Sequence, residues 1–411
     1  MAEAITGAAV GAESRSRNRF GATIILGHAL KHLYLSSLAA VLLPEIKIGL
    51  GLSGAQIGAM ASAQQITGWF STLSSGYIGD RFASRTGFML GLSIGLTGVA
   101  YFFLGLAGNY TILLAAMLLV GLGPSMFHPP AIAALSRRFA DRRAFAVSMH
   151  GTGGSLGEVL GPVTAAGLIA VLYWRDVLQL SVVPALIAAV LLWRLLRGQS
   201  GVDGGGAASF REYLGSFGRL LKQRAIILLC IVTSLRSVGQ ATTIIFLPVY
   251  LREDLDYSAG LVGAYISMAQ VVGIGSQPLM GLLSDRYGHK VVLLPAMAGF
   301  AAVLLSLSLV EGQVQFALAI LALGAFVFSM QAILISAAME VAEPEMQATT
   351  VSLIFAASFL GSLSPTIAGV IADAYGVPAV FVFSSSLVAL GTVVLALTRL
   401  PGRRRAAAGS G

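Results

Sequence analysis

Three residues of the first apolar run carry chemistry that such a run ordinarily lacks. His28, Lys31 and His32 stand at positions i, i+3 and i+4, so a helix turns all three onto one face. Counted from residue 20, where the run begins, Lys31 lies roughly 16 Å deep at about 1.5 Å per residue, near the centre of a hydrocarbon core about 30 Å thick. An ammonium at that depth must face protein or a water-filled cavity. Arg236 sits at the same depth in the seventh run. Two cations facing each other across a pseudo-twofold axis repel unless an anion lies between them, and a small organic anion is the expected occupant. The His-x-x-x-His spacing also suits a metal ion, although the neighbouring ammonium and guanidinium oppose a divalent cation. Histidines bonded to carbonyls of adjacent helices would serve structure alone, so three readings stay open.

Four glutamines, Gln65, Gln240, Gln270 and Gln331, lie at intermediate depth. Each offers a substrate neutral hydrogen bonds or ties helices together. Gln65 and Gln270 are duplicated at an offset of 205, which favours them as ligands. His128 is the repeat equivalent of Gln331, and the adjacent Pro129 and Pro130 should disturb its helix and free carbonyls. Glu158 is the acidic residue set well inside an apolar segment, about 20 Å from the start of its run. Neutral in one state and ionised in another, it is expected to carry a proton, pairing with Lys31 or Arg236 when the anion is absent; a permanent structural ion pair is the alternative.

These residues need a scaffold of membrane helices, and the composition supplies one. Of 411 residues, 56% are hydrophobic and only 11% charged, with a mean hydropathy of +0.84, which excludes a soluble globular protein. A pI near 9.8 would point to nucleic acid in a soluble chain, but here the bases fall in short loops between apolar runs, so no nucleic-acid partner is expected. The single Cys230 allows no internal disulfide and no cysteine-based metal site. Twelve runs suit transmembrane helices: about 20–44, 55–79, 87–107, 111–136, 145–171, 176–197, 225–251, 258–283, 291–311, 315–340, 348–373 and 377–399. The first is too long for a signal-peptide core and lacks a small-residue cleavage site, so it reads as a retained helix. With the N-terminus inside, Lys47, Arg175 and Arg252 fall outside, Lys31 and Arg236 lie within helices, and the remaining 21 of 26 bases face the cytoplasm. Between the tenth and eleventh runs, Glu340, Glu343 and Glu345 stand opposite the Arg137, Arg138, Arg142 and Arg143 of the matching first-half loop, as an ion-pair network or as a solvated acidic loop.

The expected organisation is a cytoplasmic tail over 1–19, a six-helix half over 20–197, a linker over 198–224, a second half over 225–399 and a basic cytoplasmic tail over 400–411. The linker opens glycine-rich and flexible. Phe210, Leu214, Phe217 and Leu221 then recur at helical spacing against Arg211, Arg219 and Lys222, the pattern of an amphipathic helix on the membrane surface. The halves repeat: Leu43-Pro44 echoes Leu247-Pro248 and Pro162 echoes Pro365.

A charged hinge recurs as well. Gly76, Asp80, Arg81 and Arg85 are repeated by Gly281, Asp285, Arg286 and Lys290, in the pattern G-x-x-x-D-R-x-x-x-[RK]. Glycine permits close helix approach, and acid and base at the cytoplasmic interface can pair and part, so the six charged residues are expected to gate; a loop that only fixes topology is the plainer reading. This pattern, in both halves, resembles the loop between the second and third helices of the major facilitator superfamily. The resemblance covers nearly the whole chain and implies an all-α membrane protein of twelve helices in two pseudo-symmetric halves, with a substrate site near the midplane. Gly157-x-x-x-Gly161-Pro162 resembles the fifth-helix motif of proton-coupled exporters in that superfamily, with Ala165 and Ala166 where a glycine pair is usual. Together with Phe127-His128-Pro129 it resembles the fosmidomycin-resistance-like branch.

The resulting expectation is a monomeric secondary transporter of the inner membrane, both termini cytoplasmic, moving a small organic anion outward in exchange for protons. A proton-coupled importer of a carboxylate or phosphonate is the alternative, and a metal-ion transporter a further one. His28, Lys31, His32, Gln65, Arg236, Gln240, Gln270 and Gln331 form the expected binding set. No cofactor and no resident metal is implied, and no motif assembles a nucleophile, base and orienting group as an enzyme needs.

Overall fold

The computed structural model describes residues 2–139, 141, 143–198, 218–310, 312–341 and 347–398. Among these every regular element is helical. Ten helices are long and apolar enough to cross a membrane. Two more, Gly54–Arg81 and Arg143–Ile169, have 28 and 27 residues. At about 1.5 Å per residue they exceed the core thickness, but glycine, serine, threonine and glutamine dilute their hydropathy. These two overlap the second and fifth of the runs read from the sequence. Exposed Val183, Leu186, Ile187, Val190 and Leu191 along the Val182–Leu196 helix give it the apolar outer face that lipid requires.

The chain divides into two compact units. One takes Met1–Leu42 and Ala63–Ala207, the other Leu43–Ser62 and Ala208–Gly411. In the first unit, the helix Ala2–Ser37 begins well before residue 20 and packs along Arg143–Ile169, while Thr86–Leu106 packs against Val182–Leu196. In the second unit, the helix Arg224–Val249 packs against Val377–Leu397, which also contacts His289–Leu307. The short Leu43–Ser62 piece is tied into this unit by polar contacts. Arg252 donates to Glu45 at 2.6 Å, Lys47 pairs with Glu253, and Asp373 accepts from the backbone N–H of Ala55 at 2.9 Å and from that of Gly54. Two of the bases expected outside, Lys47 and Arg252, therefore both have acidic partners.

The expected linker helix over 210–221 falls largely outside the described residues, as do Arg142, Glu343, Glu345 and the basic tail. Glu340 is described, and it pairs with His289 Nε2 at 3.2 Å.

Candidate functional site

Glycine places the first helix. A Cβ at Gly157 would lie 2.0 Å from the Ala29 carbonyl oxygen, and one at Gly154 would lie 2.6 Å from His28 Cε1. The glycine-dense face of Arg143–Ile169 therefore lets the backbone of Ala2–Ser37 approach closely, which sets His32 beside Glu158 and His28 beside His150. Overpacking at such a contact costs about 1–3 kcal/mol or more. Gly157→Leu is expected to lower the unfolding temperature of the purified protein, whereas Gly167→Ala, where nothing lies within 4 Å of the added carbon, is expected to leave it unchanged.

Proline places His128. The preceding helix ends at Ser125 and a new one runs His128–Arg138 with proline in its first turn, where a missing N–H costs nothing. The break turns the His128 ring back towards Lys31. Lys31, only 3% exposed, holds its Nζ 2.7 Å from His128 Nε2 and 3.1 Å from His32 Nε2. His32 Nδ1 lies 3.0 Å from Glu158 Oε1. With the carboxylate accepting from Nδ1–H, Nε2 is left as the acceptor that faces Lys31. The sequence points Glu158 at Lys31 or Arg236; its bonded partner is the histidine next to Lys31.

Behind this pair, His28 Nδ1 donates to the His150 carbonyl at 2.7 Å, and the two rings stack with centroids 3.7 Å apart. His28 Nε2 and both ring nitrogens of His150 are buried and find no hydrogen-bond partner among the described residues. Four of the five histidines of the chain thus meet in one cluster. Sequence reasoning missed His150, which shares no helical spacing with the others; the concentration of histidine in one half was the available signal.

The second unit repeats the arrangement with different chemistry. Arg236, 2% exposed, donates from Nη2 to Gln240 Oε1 and to Gln331 Oε1, both at 2.8 Å, and from Nη1 to the Val327 carbonyl at 3.1 Å. Val327 ends the helix Gln313–Val327, and the chain resumes at Met330, so this break also frees a carbonyl. Lys31 bonds His128 in one unit as Arg236 bonds Gln331 in the other. Gln65 and Gln270 are half-buried and make no described bond to either cation.

The charge balance differs between the units. An ionised Glu158 offsets Lys31 through His32. The three described acceptors of Arg236 are all neutral. Hydrogen bonds to a charged group contribute about 1.5–3 kcal/mol each, which offsets the several kcal/mol that burying an ion costs, but they leave the charge itself uncompensated. An oxyanion reaching that guanidinium gains Coulomb energy that these described neutral partners do not supply.

Of the expected gating residues, the side chains of Asp80 and Arg81 lie outside what is described. Arg85 stacks over the Phe82 ring at 5.6 Å and Arg286 over Tyr287 at 5.4 Å. In the second copy Gly288, at φ 99°, turns the chain sharply between two helices. Beyond it, Lys290 donates to the Ala396 and Thr398 carbonyls at the end of the last helix, and His289 bridges Ser284 to Glu340. Asp80→Asn and Arg85→Ala are expected to abolish transport while substrate binding stays measurable, because they bias a conformational equilibrium and leave the site intact. The same changes at Asp285 and Lys290 should be milder. Wild-type transport rates in both first-copy variants would reduce the hinge to a topology signal.

Comparison with known proteins agrees with this architecture. The family model described as Major Facilitator Superfamily matches residues 25–364 and 229–411. The Fosmidomycin resistance protein of Escherichia coli K12 is 30% identical over 195 residues, 47% of each chain, so this chain spans about half the length of that relative in the match. Multidrug resistance protein MdtG of Yersinia enterocolitica is 26% identical over 70% of this chain and 71% of its own. The 4-hydroxybenzoate transporter PcaK of Pseudomonas aeruginosa is 30% identical over 37% and 34%. Among solved structures, the nucleoside transporter NupG superposes with a TM-score of 0.77 at 13% identity, covering 92% of this chain and 98% of that one. A bacterial homolog of the human lysosomal transporter Spinster gives 0.75 at 16%, covering 93% and 97%. The helical fold, the duplicated hinge and the family match converge: the chain belongs to the Major Facilitator Superfamily.

Proposed function

We propose that this protein is a secondary transporter of the inner membrane that moves a small organic anion outward by alternating access in exchange for protons. The observation that carries the reading is Arg236, a buried guanidinium whose described partners are all neutral. A cation substrate would be repelled there, whereas a carboxylate or phosphonate would find a charge-assisted partner. Within the first unit Lys31 is a further buried positive group, and Glu158, bonded to His32 beside it, is the site for the exchanged proton. Exchange requires the two loads to alternate, with the carboxylate protonated on the empty return and ionised while the anion is bound; protonation together with the anion would carry both in one direction, as import requires. The names of two relatives describe resistance, which fits efflux, and the third names the transport of 4-hydroxybenzoate, a carboxylate. Proton-coupled import of such an anion would use the same residues, because gradients and loading order set direction. A metal ion as cargo fits less well, since the Lys31 ammonium already occupies the imidazole cluster. The protein is expected to act as a monomer with both termini cytoplasmic.

The reading is tested by thermal unfolding of the purified protein against matched panels of organic anions and cations. A ligand bound to the folded state raises apparent stability by RT ln(1 + [L]/Kd), about 2.7 kcal/mol at a hundredfold excess over Kd. Stabilisation by a subset of anions is the expected result. Stabilisation by cations alone would overturn the proposal.

A further inference from the structure

One ring nitrogen from each of His28, His32 and His128 lies within 4.8 Å of the other two. Two of these imidazoles are already oriented as metal ligands are. Glu158 accepts from His32 Nδ1, and the His150 carbonyl accepts from His28 Nδ1, so each ring directs an unprotonated Nε2 away from a fixed partner, the outer arrangement that orients and strengthens a ligating histidine. His28 Nε2 is buried and has no hydrogen-bond partner among the described residues. His32 and His128 direct Nε2 at a cation, but that cation is the Lys31 ammonium. The cluster is thus an imidazole cage filled by a positive charge tethered to the chain.

We propose that His28, His32 and His128 form a site for a borderline transition-metal ion such as Zn2+ or Co2+, and that the Lys31 ammonium is its built-in competitor. Three neutral imidazoles with an open fourth position are a familiar donor set for such ions, with metal–nitrogen distances of about 2.0–2.1 Å. Tetrahedral ligation at that distance needs nitrogens roughly 3.4 Å apart, so nitrogens that lie up to 4.8 Å apart must close by as much as about 1.4 Å, and the ammonium must swing out of the cage. Electrostatics makes the two occupants mutually exclusive, because an ammonium and a divalent ion cannot share one cage in a low-dielectric interior. Lys31 then keeps free metal ions out of the transport path, and an excess of metal blocks the residue that the anion needs.

The test is Co2+ titration of the full-length protein without a polyhistidine tag, followed by visible absorption, with Zn2+ displacement to rank affinities. Lys31→Met keeps the apolar stem and removes the charge. It is expected to bind Co2+ at least tenfold more tightly than wild type, with the visible bands of tetrahedral nitrogen ligation. Adding His28→Ala or His128→Ala to Lys31→Met should abolish those bands. Equal affinity in wild type and Lys31→Met, or tight binding that survives both histidine changes, overturns the proposal. If Lys31→Met does not yield folded protein, Lys31→Gln makes the same comparison, with unfolding curves recorded before metal is added. The titration reads no transport, so its failure leaves the anion reading intact, and failure of the anion screen leaves this site intact.

Discussion

Removing Arg236 is expected to weaken binding of the transported anion by about 1.5–3 kcal/mol, the range for a hydrogen bond to a charged group. At about 1.4 kcal/mol per tenfold, that is roughly one to two orders of magnitude in Kd. The geometry explains why Arg236→Lys should restore little. The planar fork reaches Gln240, Gln331 and the Val327 carbonyl at once, whereas an ammonium on a flexible stem offers a point charge without that shape. Lys31→Ala should weaken anion binding in the same direction. Arg236→Ala also leaves two glutamine oxygens and a carbonyl without their donor, so its unfolding temperature must be recorded beside its affinity. A folded Arg236→Ala protein that binds the anion as wild type does would remove the guanidinium from the site.

Glu158→Gln should separate exchange from coupling. The amide oxygen can still accept from His32 Nδ1–H, so the cluster keeps its shape while losing the charge that balances Lys31. Exchange of trapped for external substrate is therefore expected to continue, and net movement driven by a pH difference is expected to stop. A purely structural pair would lose both activities. Net transport with the normal pH dependence in this variant would rule Glu158 out as the proton site.

Much of this arrangement was legible in the sequence because it rests on local rules. Helical spacing puts His28, Lys31 and His32 on one face. Pro129 and Pro130 announce the break that turns His128, and the repeat offset pairs His128 with Gln331, which bond equivalent cations in their own units. Other parts were not legible. The second break, after Val327, has no proline to mark it. His150 reaches His28 across 122 residues through a ring stack and a backbone carbonyl, neither of which leaves a pattern in sequence. Lys290 reads as half of a charged latch, yet its described partners are carbonyls at a helix end, and backbone acceptors are invisible to residue types. Among the described residues Gln240 and Gln331 bond Arg236 and the duplicated Gln65 and Gln270 do not, a difference that depth along a helix does not fix.

The central claim, anion movement coupled to protons in the opposite direction, is tested most directly in proteoliposomes holding equal concentrations, inside and outside, of an anion chosen by the stability screen. Acidifying the outside relative to the inside should drive the anion out against its own gradient while the lumen acidifies, and Glu158→Gln vesicles should show neither flux. Anion flux that ignores the imposed pH difference, or movement of an organic cation in place of the anion, would contradict the account.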